Sequence, residues 1–135
     1  MSAEVAVRAA VIGALRGDGS VMDGLNGLFD GEPGRASAPF GYVGEAIGSD
    51  WGGKDVAGRE VRLTIGLRVA DETPARLAGM IGRIDPAIGQ AQPQDGWRIV
   101  TARLVRSRVA RDEGRQLAAG WRAVIDYRLR VVWEG

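Results

Sequence analysis

Two long stretches in which apolar and polar residues alternate constrain the fold of this chain more than any other feature. From Val61 to Val69, valine, leucine or isoleucine occupies every second position, and the positions between them are mostly polar. Residues 121–133 repeat the pattern, with Ile125 and Leu129 on the apolar side and arginines on the other. Because successive side chains of a strand point to opposite faces, both stretches predict strands with one buried face. Such strands are typical of an antiparallel sheet that is covered on one side only.

Two further segments show the 3.6-residue periodicity of amphipathic helices. The first spans residues 3–15 and is followed by Gly17, a common residue at the end of a helix. The second begins at residues 73–74, where a proline occupies the first helical position, and Pro86 is expected to end or kink it near residues 84–85. We expect this helix to pack on the two strands in a core that contains Leu63, Ile65, Leu67, Leu77, Ile81, Ile84, Ile125, Tyr127 and Leu129.

The carboxy-terminal third completes the domain. Residues 97–109 also resemble a strand, but their apolar phase shifts between Leu104 and Val105, which indicates a bulge or a bend. A hairpin turn is predicted at residues 112–114, between this strand and the last one. A chain of 135 residues suits one domain and is too short for two ordinary ones. We therefore predict a single α+β domain over residues 1–135, with an antiparallel β-sheet and helices packed on one face.

A glycine-rich segment precedes the first of the two clear strands. Residues 40–44 predict a short strand, and residues 44–58 are too rich in glycine for a long regular element. We interpret residues 44–58 as a flexible extended loop or a loose hairpin. Trp51 lies in the middle of it, between Asp50 and Lys54. Two interpretations of Trp51 stay open, since the side chain can fold back onto its own domain or anchor the loop on an adjacent subunit or another partner.

Histidine and cysteine are both absent, which excludes whole classes of chemistry. Ser-His-Asp and Cys-His catalysis, disulfide bonds and the usual His/Cys zinc sites cannot be built. Acid–base chemistry would fall to carboxylates, tyrosines and the single lysine. No run of about 18 apolar residues is present, so the sequence predicts no membrane span. We predict no catalytic, metal-binding or cofactor-binding residues.

One segment imitates a phosphate-binding motif. Residues 48–54 match the first seven positions of G-x-x-x-x-G-K, but the eighth position holds Asp55 instead of the serine or threonine that binds magnesium. A strand is predicted after the motif, whereas phosphate-binding loops lead into a helix. Asp50 and Asp55 would also repel a phosphate. We therefore interpret the segment as a glycine-rich connection, and Glu45, Asp50 and Asp55 as solvated acids.

The net charge of +1 is unevenly distributed along the chain. Residues 1–96 hold 9 basic and 13 acidic groups, whereas residues 97–135 hold 9 arginines and 4 acidic groups. The basic part is typical either of nucleic-acid binding or of a positive surface that meets acids of the same or an adjacent subunit. The aromatic residues of the last strand alternate with its arginines and do not share their face, which favours the second interpretation. The arginines concerned are Arg98, Arg103, Arg106, Arg108, Arg111, Arg122, Arg128 and Arg130.

The order of these elements is informative in itself. An amino-terminal helix leads to a Pro-aromatic strand at residues 39–43, and a Gly/Asp/Trp loop leads into the strand at residues 61–69. The helix at residues 73–84 follows, and then two final strands rich in arginine and aromatic residues. In this order the whole chain resembles the tail terminator, or tail-completion, proteins of long non-contractile-tailed bacteriophages and of phage-like gene transfer agents.

The resemblance implies a structural protein that forms a ring, usually of six copies, at the head-proximal end of the tail tube. Such a ring stops the polymerisation of the tube and offers the surface that joins the tail to the head. The implied partners are other copies of the chain, the tail tube protein and a head–tail connector or stopper protein, while DNA passes through the lumen without sequence-specific binding. The implied location is the virion or phage-like particle, which is assembled in the bacterial cytoplasm.

The residues that we expect at the subunit or tube interface are Asp50, Trp51, Lys54, Arg122, Arg128 and Arg130. In the second interpretation of Trp51, the side chain anchors the loop on an adjacent subunit or the tail tube. Two alternatives stay open at this point. One is a nucleic-acid-binding module that uses the arginine-rich final strands, and the other is a head–tail adaptor of the same particle.

Overall fold

The computed structural model describes residues 2–93, 95–112 and 120–135. Its helices are α1 (Ala3–Arg16), α2 (Gly19–Met22) and α3 (Ala75–Ile88), and its strands are β1 (Leu28–Asp30), β2 (Phe40–Asp50), β3 (Gly58–Val69), β4 (Trp97–Arg111) and β5 (Trp121–Trp133). Together they form an α+β domain, as the sequence predicts. Within the described residues, none of the helices has the length and apolar character needed to cross a membrane.

The five strands form one sheet in the order β1-β2-β3-β5-β4. Strands β2 to β5 pair antiparallel, whereas β1 pairs with β2 in parallel through residues 28–30 and 41–43. The α+β class is therefore confirmed, with the difference that β1 makes the sheet mixed. β1 has only three residues, too few for an alternation that would reveal it in the sequence.

The helices cover one face of the sheet, and the core lies between the two layers. The strand residues predicted to be in the core are each at most 1% exposed: Leu63, Ile65, Leu67, Ile125, Tyr127 and Leu129. From α3, Leu77 and Ile84 are equally buried, and Ile81 is partly buried against the same cluster. The predicted core is therefore confirmed.

α3 continues through Pro86 to Ile88, so the expectation that Pro86 ends the helix near residues 84–85 is wrong. Proline lacks the backbone N–H that an interior helical residue donates, and this property alone favours termination. Ala87 and Ile88 are nevertheless buried in the core, and the N–H of Gly89 donates to the carbonyl oxygen of Asp85 at 3.2 Å. Burial of the two side chains beyond the proline stabilises the last helical turn.

Half of the segment predicted to be a flexible loop is a strand. β2 extends to Asp50 and, after a bulge at residues 44–45, pairs with the first half of β3. Only residues 51–57 form the connection, so the segment is a hairpin, the second of the two predicted forms, and its first half is regular and hydrogen-bonded. Within the turn, the N–H of Trp51 donates to the carbonyl oxygen of Gly58 at 3.2 Å.

The glycines of β2 allow α1 to approach the strand closely. A Cβ atom at Gly48 would lie 1.7 Å from Oε1 of Glu4, a carboxylate oxygen that also accepts a hydrogen bond from Nη2 of Arg59 at 3.2 Å. At the bulge, Arg8 donates from Nε to the carbonyl oxygen of Gly44 at 3.1 Å and from Nη2 to that of Val43 at 2.6 Å. These contacts come from another element, so they stabilise β2 where its own glycines disfavour a strand.

β4 is the long edge strand of the sheet. Its register with β5 shifts at Val105, which confirms the predicted bulge, and shifts again at Val100. Of the turn predicted at residues 112–114, Asp112 is described, and its N–H donates to the carbonyl oxygen of Gly120 at 2.8 Å. Residues 113 and 114 lie outside the described residues.

Candidate assembly surfaces

The open face of the sheet, opposite the helices, carries a dense array of arginines. Strand register produces this array, because residues directly opposite each other on paired strands share a face. Arg103 lies opposite Arg128, which in turn lies opposite Arg62, so three strands place their arginines in one row. The arginines of this face are Arg62, Arg68, Arg98, Arg103, Arg106, Arg108, Arg122, Arg128 and Arg130.

Arg111 is the exception within the predicted arginine pattern. It pairs in register with Trp121, on the helix side of the sheet, and its guanidinium carbon lies 5.2 Å from the centre of that indole ring. The indole N–H of Trp121 donates to the carbonyl oxygen of Glu72 at 3.0 Å. Arg111 therefore covers an aromatic side chain and does not belong to the open face.

Glu60 holds two of the predicted interface arginines in place. Its side chain is only 17% exposed, and Nε of Arg130 donates to its Oε1 at 3.2 Å. Nε of Arg128 lies 3.7 Å from the same oxygen, is buried, and makes no hydrogen bond in the described part of the chain. Arg128 and Arg130 thus belong to an intramolecular ion-pair network. Removal of Glu60 would leave their charges uncompensated in a poorly hydrated position.

Other arginines of the open face differ in whether they have an acidic partner. Four more ion pairs are formed within the described residues, by Arg62 with Glu60, Arg106 with Asp126, Arg68 with Asp112 and Arg98 with Glu134. By contrast, no described acid lies within ion-pair distance of Arg103, Arg108 or Arg122. Cations without an internal partner are the ones that an acid of another subunit can meet without first breaking an existing pair.

Trp51 folds back onto its own domain. Its ring lies against Gly58, where an added Cβ atom would be 2.9 Å from Cε3 of the indole. The guanidinium carbon of Arg130 lies 5.4 Å from the centre of the ring, a distance suited to a cation–π contact. The side chain is still 36% exposed. In the isolated chain Trp51 therefore packs on its own domain, as in the first of the two interpretations. Part of the indole stays accessible to a neighbour.

The predicted interface residues fall into two groups. Asp50, Trp51, Lys54, Arg128 and Arg130 lie toward the hairpin between β2 and β3. Arg122 lies opposite Arg68 of β3, near the other end of β5. Eight residues separate it from Arg130, which corresponds to roughly 26 Å of strand. A partner that contacts both groups must therefore span most of the sheet.

The residues that imitate a phosphate-binding motif do not form one. Residues 48–50 belong to β2, residues 51–54 belong to the turn, and the next element is a strand. A Cβ atom at Gly52 would lie 2.5 Å from the carbonyl oxygen of Val56, so the turn itself requires this glycine. In the described part of the chain, no group of acids could hold a metal ion.

Tyr127 is a titratable group in the core and not part of the open face. Its ring is fully buried, and its hydroxyl donates to Oδ1 of Asp85 at 2.9 Å. Burial raises the pKa of Tyr127, and the hydrogen bond to Asp85 raises it further. The hydroxyl therefore stays protonated at neutral pH and joins α3 to β5.

A shallow groove of about 620 Å³ lies on the helix side, between α1 and residues 90–92 and 95. Alanines and Gly13 of α1 form one wall, and Gln90, Gln92 and Asp95 form part of the other. Small side chains with few polar groups do not define a reaction. The groove is a feature of the surface without a catalytic arrangement.

Exposed apolar residues at both edges of the sheet were missed by sequence reasoning. On β4, Val100, Leu104, Val105 and Val109 are between 38% and 46% exposed. At the opposite edge, Phe29 is 37%, Ile47 57% and Val56 50% exposed. The shift in apolar phase at residues 104–105 could have indicated the exposed residues of β4. The second group had no such signal, because residues 44–50 do not resemble a strand.

An open, arginine-rich sheet face and exposed apolar edges define a protein whose surfaces are suited to assembly. The family described as Tail completion protein gp17 matches residues 9–132. The chain belongs to this family and is a structural tail protein, which confirms the resemblance found in the sequence. Its fold is also similar to a chain of the virion of a native gene transfer agent (GTA) particle, with a TM-score of 0.81 and 22% identity over 98% of this chain and 99% of that chain. No curated protein matches the chain.

Proposed function

We propose that this protein is a tail terminator that forms a ring of six copies at the head-proximal end of a tail tube. The ring stops polymerisation of the tube and provides the surface that joins the tail to the head of a phage or gene transfer agent. The observation that carries the proposal is the extent of the similarity, since the tail completion family and the fold of a GTA virion chain each cover almost the whole chain. The proposed role is structural and not enzymatic, and it uses no metal or cofactor.

Ring formation needs heterologous contacts, in which one patch of a subunit meets a different patch of the next. The acidic excess of residues 1–96 and the basic excess of residues 97–135 supply two such patches. The order of the sheet separates them, with β1 and β2 at one edge and β4 at the other. Each subunit then offers a negative edge to one neighbour and a positive edge to the other.

We assign contacts with neighbouring subunits or with the tube end to Asp50, Trp51, Lys54, Arg122, Arg128 and Arg130. The exposed part of Trp51 and the guanidinium of Arg122, which has no described acid within ion-pair distance, would touch the neighbour directly. Arg128 and Arg130 would act as the base on which Trp51 rests, because Glu60 already holds them. The other proposed partners are the tail tube protein and a head–tail connector or stopper protein, and DNA crosses the lumen without sequence-specific contacts.

The test is to produce particles without this chain and to measure tail length and head attachment by electron microscopy. The proposal predicts tails of excessive and variable length that carry no heads, and supply of the wild-type chain in trans should restore both features. Particles with joined tails of normal length in the absence of the chain would overturn the proposal. A head–tail adaptor is distinguished by a third pattern, tails of normal length that fail to join heads.

The second candidate is a nucleic-acid-binding module. It is favoured by Arg103, Arg108 and Arg122 on the open face, which have no described acid within ion-pair distance. Phosphate binding by arginines weakens steeply as salt increases, because counterions are released from the nucleic acid. Retardation of arbitrary duplex DNA by the purified chain, lost at high salt and in an Arg103→Glu/Arg108→Glu variant, would support this candidate. Terminator activity in that variant with normal tail length would show that the two roles are separate.

A further inference from the structure

The β4 edge of the sheet combines exposed apolar side chains with unpaired positive charge. We call this the β4 edge surface, and its residues are Val100, Arg103, Leu104, Val105, Arg108 and Val109. The four apolar residues are each at least 38% exposed, and Val100 and Val105 occupy the two bulges. Neither arginine has a described acid within ion-pair distance. By register, Leu104 and Val109 lie on the helix side of β4 and Arg103 and Arg108 on the open side, so this surface extends around the edge. Several exposed apolar residues in one region are typical of protein contact sites.

The opposite edge has the same composition with the opposite charge. We call it the β2 edge surface, and its residues are Phe29, Glu45, Ile47, Asp50 and Val56. β1 pairs with β2 only up to residue 43, so residues 44–50 form a free edge in the described part of the sheet. Glu45 has no described cation within ion-pair distance. Among the described residues, the side chain of Asp50 accepts a hydrogen bond only from the N–H of Gly52, at 3.4 Å.

The two surfaces carry opposite charges, and both expose apolar side chains. Each presents apolar side chains next to charges of one sign that find no described partner within the same chain. Lys54, in the turn beside the β2 edge surface, is followed in the sequence by Asp55, so these two residues together add no net charge there. Charges of opposite sign that meet across a contact steer association and penalise wrong pairings. A second copy of the chain supplies the apolar residues and the opposite charges that either edge lacks.

We infer that the β4 edge surface of one copy binds the β2 edge surface of the next copy, in a head-to-tail contact that repeats around the assembly. The inference rests on the proposed ring and names the surfaces that close it. Because the bulges at Val100 and Val105 disturb the regular spacing of backbone donors and acceptors, the contact is formed by side chains and not by continuous strand addition. The apolar residues form its centre, and Arg103, Arg108, Glu45 and Asp50 form its rim.

Introduced cysteines test the contact directly, since the chain has none of its own. Purified Ile47→Cys and Val105→Cys variants, mixed and oxidised, should form a disulfide-linked dimer that neither variant forms alone. The variant with both substitutions should form a ladder of linked multimers. Val5→Cys is the control, because Val5 is 57% exposed on α1 and belongs to neither surface, and it should not link to Val105→Cys.

Two results would overturn the inference. One is the absence of the mixed disulfide, including the case of a chain that stays monomeric. The other is a disulfide between two Val105→Cys chains as the main product, because that would make the contact isologous. The position of the protein on isolated tails is measured separately. If the chain terminates tails normally but the mixed disulfide does not form, the inference alone is rejected. If the disulfide forms but removal of the chain changes neither tail length nor head attachment, the proposed function alone is rejected.

Charge reversal tests the rim of the same contact. Arg103→Glu/Arg108→Glu and Glu45→Arg/Asp50→Arg should each weaken self-association in sedimentation experiments by at least about tenfold, and a mixture of the two should recover wild-type association, with the two variants alternating in the assembly. Arg83→Glu, on the exposed side of α3, should change nothing. A thermal melt of each variant verifies its fold. A mixture that associates no better than either double variant would contradict the pairing of these surfaces.

Discussion

The two faces of the sheet are built from the same strands but have opposite roles. On the helix side, the core residues of β3 and β5 are at most 1% exposed and wholly apolar, apart from the hydroxyl of Tyr127. On the open side, rows of arginines are balanced in part by Glu60 and Asp126. The first face determines whether the chain folds, while the second has a charge excess that folding does not need. The open face and its edges therefore hold the charged and exposed apolar residues that the proposed contacts would use.

The largest expected effect comes from a charge placed on the covered face. Ile65→Asp buries a carboxylate among apolar side chains without a partner, and we expect a loss of at least about 4 kcal/mol in the free energy of unfolding. Thr101→Asp is the matched control, because Thr101 is exposed and lies opposite Arg130. It should change stability by no more than about 0.5 kcal/mol. Urea melts that give similar midpoints for both variants would mean that the two faces do not differ as described.

Removal of the central acid of the open face should have the next largest effect. Glu60→Ala leaves Arg128 and Arg130 side by side with no carboxylate, and Nε of Arg128 is buried. We expect a destabilisation of about 1–3 kcal/mol. Glu45→Ala, which removes an exposed glutamate with no described ion pair, should stay within about 0.5 kcal/mol of the wild type. Equal melting temperatures for the two variants would show that the ion-pair network adds nothing to stability.

A smaller effect on stability is expected at Tyr127, whose hydroxyl is a polar group in the core. Tyr127→Phe removes the hydrogen bond to Asp85 and should cost about 1 kcal/mol at neutral pH. Since the pKa of Tyr127 is raised in the folded state, the folded protein holds this proton more tightly than the unfolded chain does. The resulting stability is fully present below about pH 10, the pKa of an unfolded tyrosine, and is lost as the pH rises above it.

The free energy of unfolding above about pH 10 therefore distinguishes the wild type from Tyr127→Phe. Tyr127→Phe should lose less stability than the wild type between neutral pH and about pH 11. Burial also raises the pKa of Tyr42, but Tyr42 is present in both proteins, so the difference between them reports on Tyr127. Parallel curves of unfolding free energy against pH for the two proteins would contradict the assignment.

The smallest effect on stability is expected at Trp51. Trp51→Ala removes a half-exposed ring and one cation–π contact with Arg130, which together should be worth less than about 1 kcal/mol. Under the proposed function, the same variant should reduce the yield of tails joined to heads. Val5→Ala, an exposed apolar residue on α1, is the control for both measurements. A clearly lower melting temperature with normal joining would assign Trp51 to the fold alone.

Local patterns were sufficient for most of the fold and insufficient for the candidate interface. The strands β3 and β5, both long helices and the bulge at Val105 are visible in the sequence because each follows from a short-range period or a break in it. The extension of β2 is not visible, since its glycines disfavour a strand and only α1 and β3 compensate for them. The last turn of α3 is not visible either, because burial of Ala87 and Ile88 outweighs the effect of Pro86.

What the sequence alone determined is which side chains of each strand share a face, because that depends only on the two-residue period of the backbone. Which arginines are already paired was decided by tertiary structure. Glu60 meets Arg130 across 70 residues of chain, whereas Arg103, in the same row as Arg128, has no described acid within reach. Pairing of this kind depends on the register and order of strands. Register and strand order are set by packing of the whole core. A local sequence pattern therefore cannot show whether an arginine has an acidic partner within its own chain.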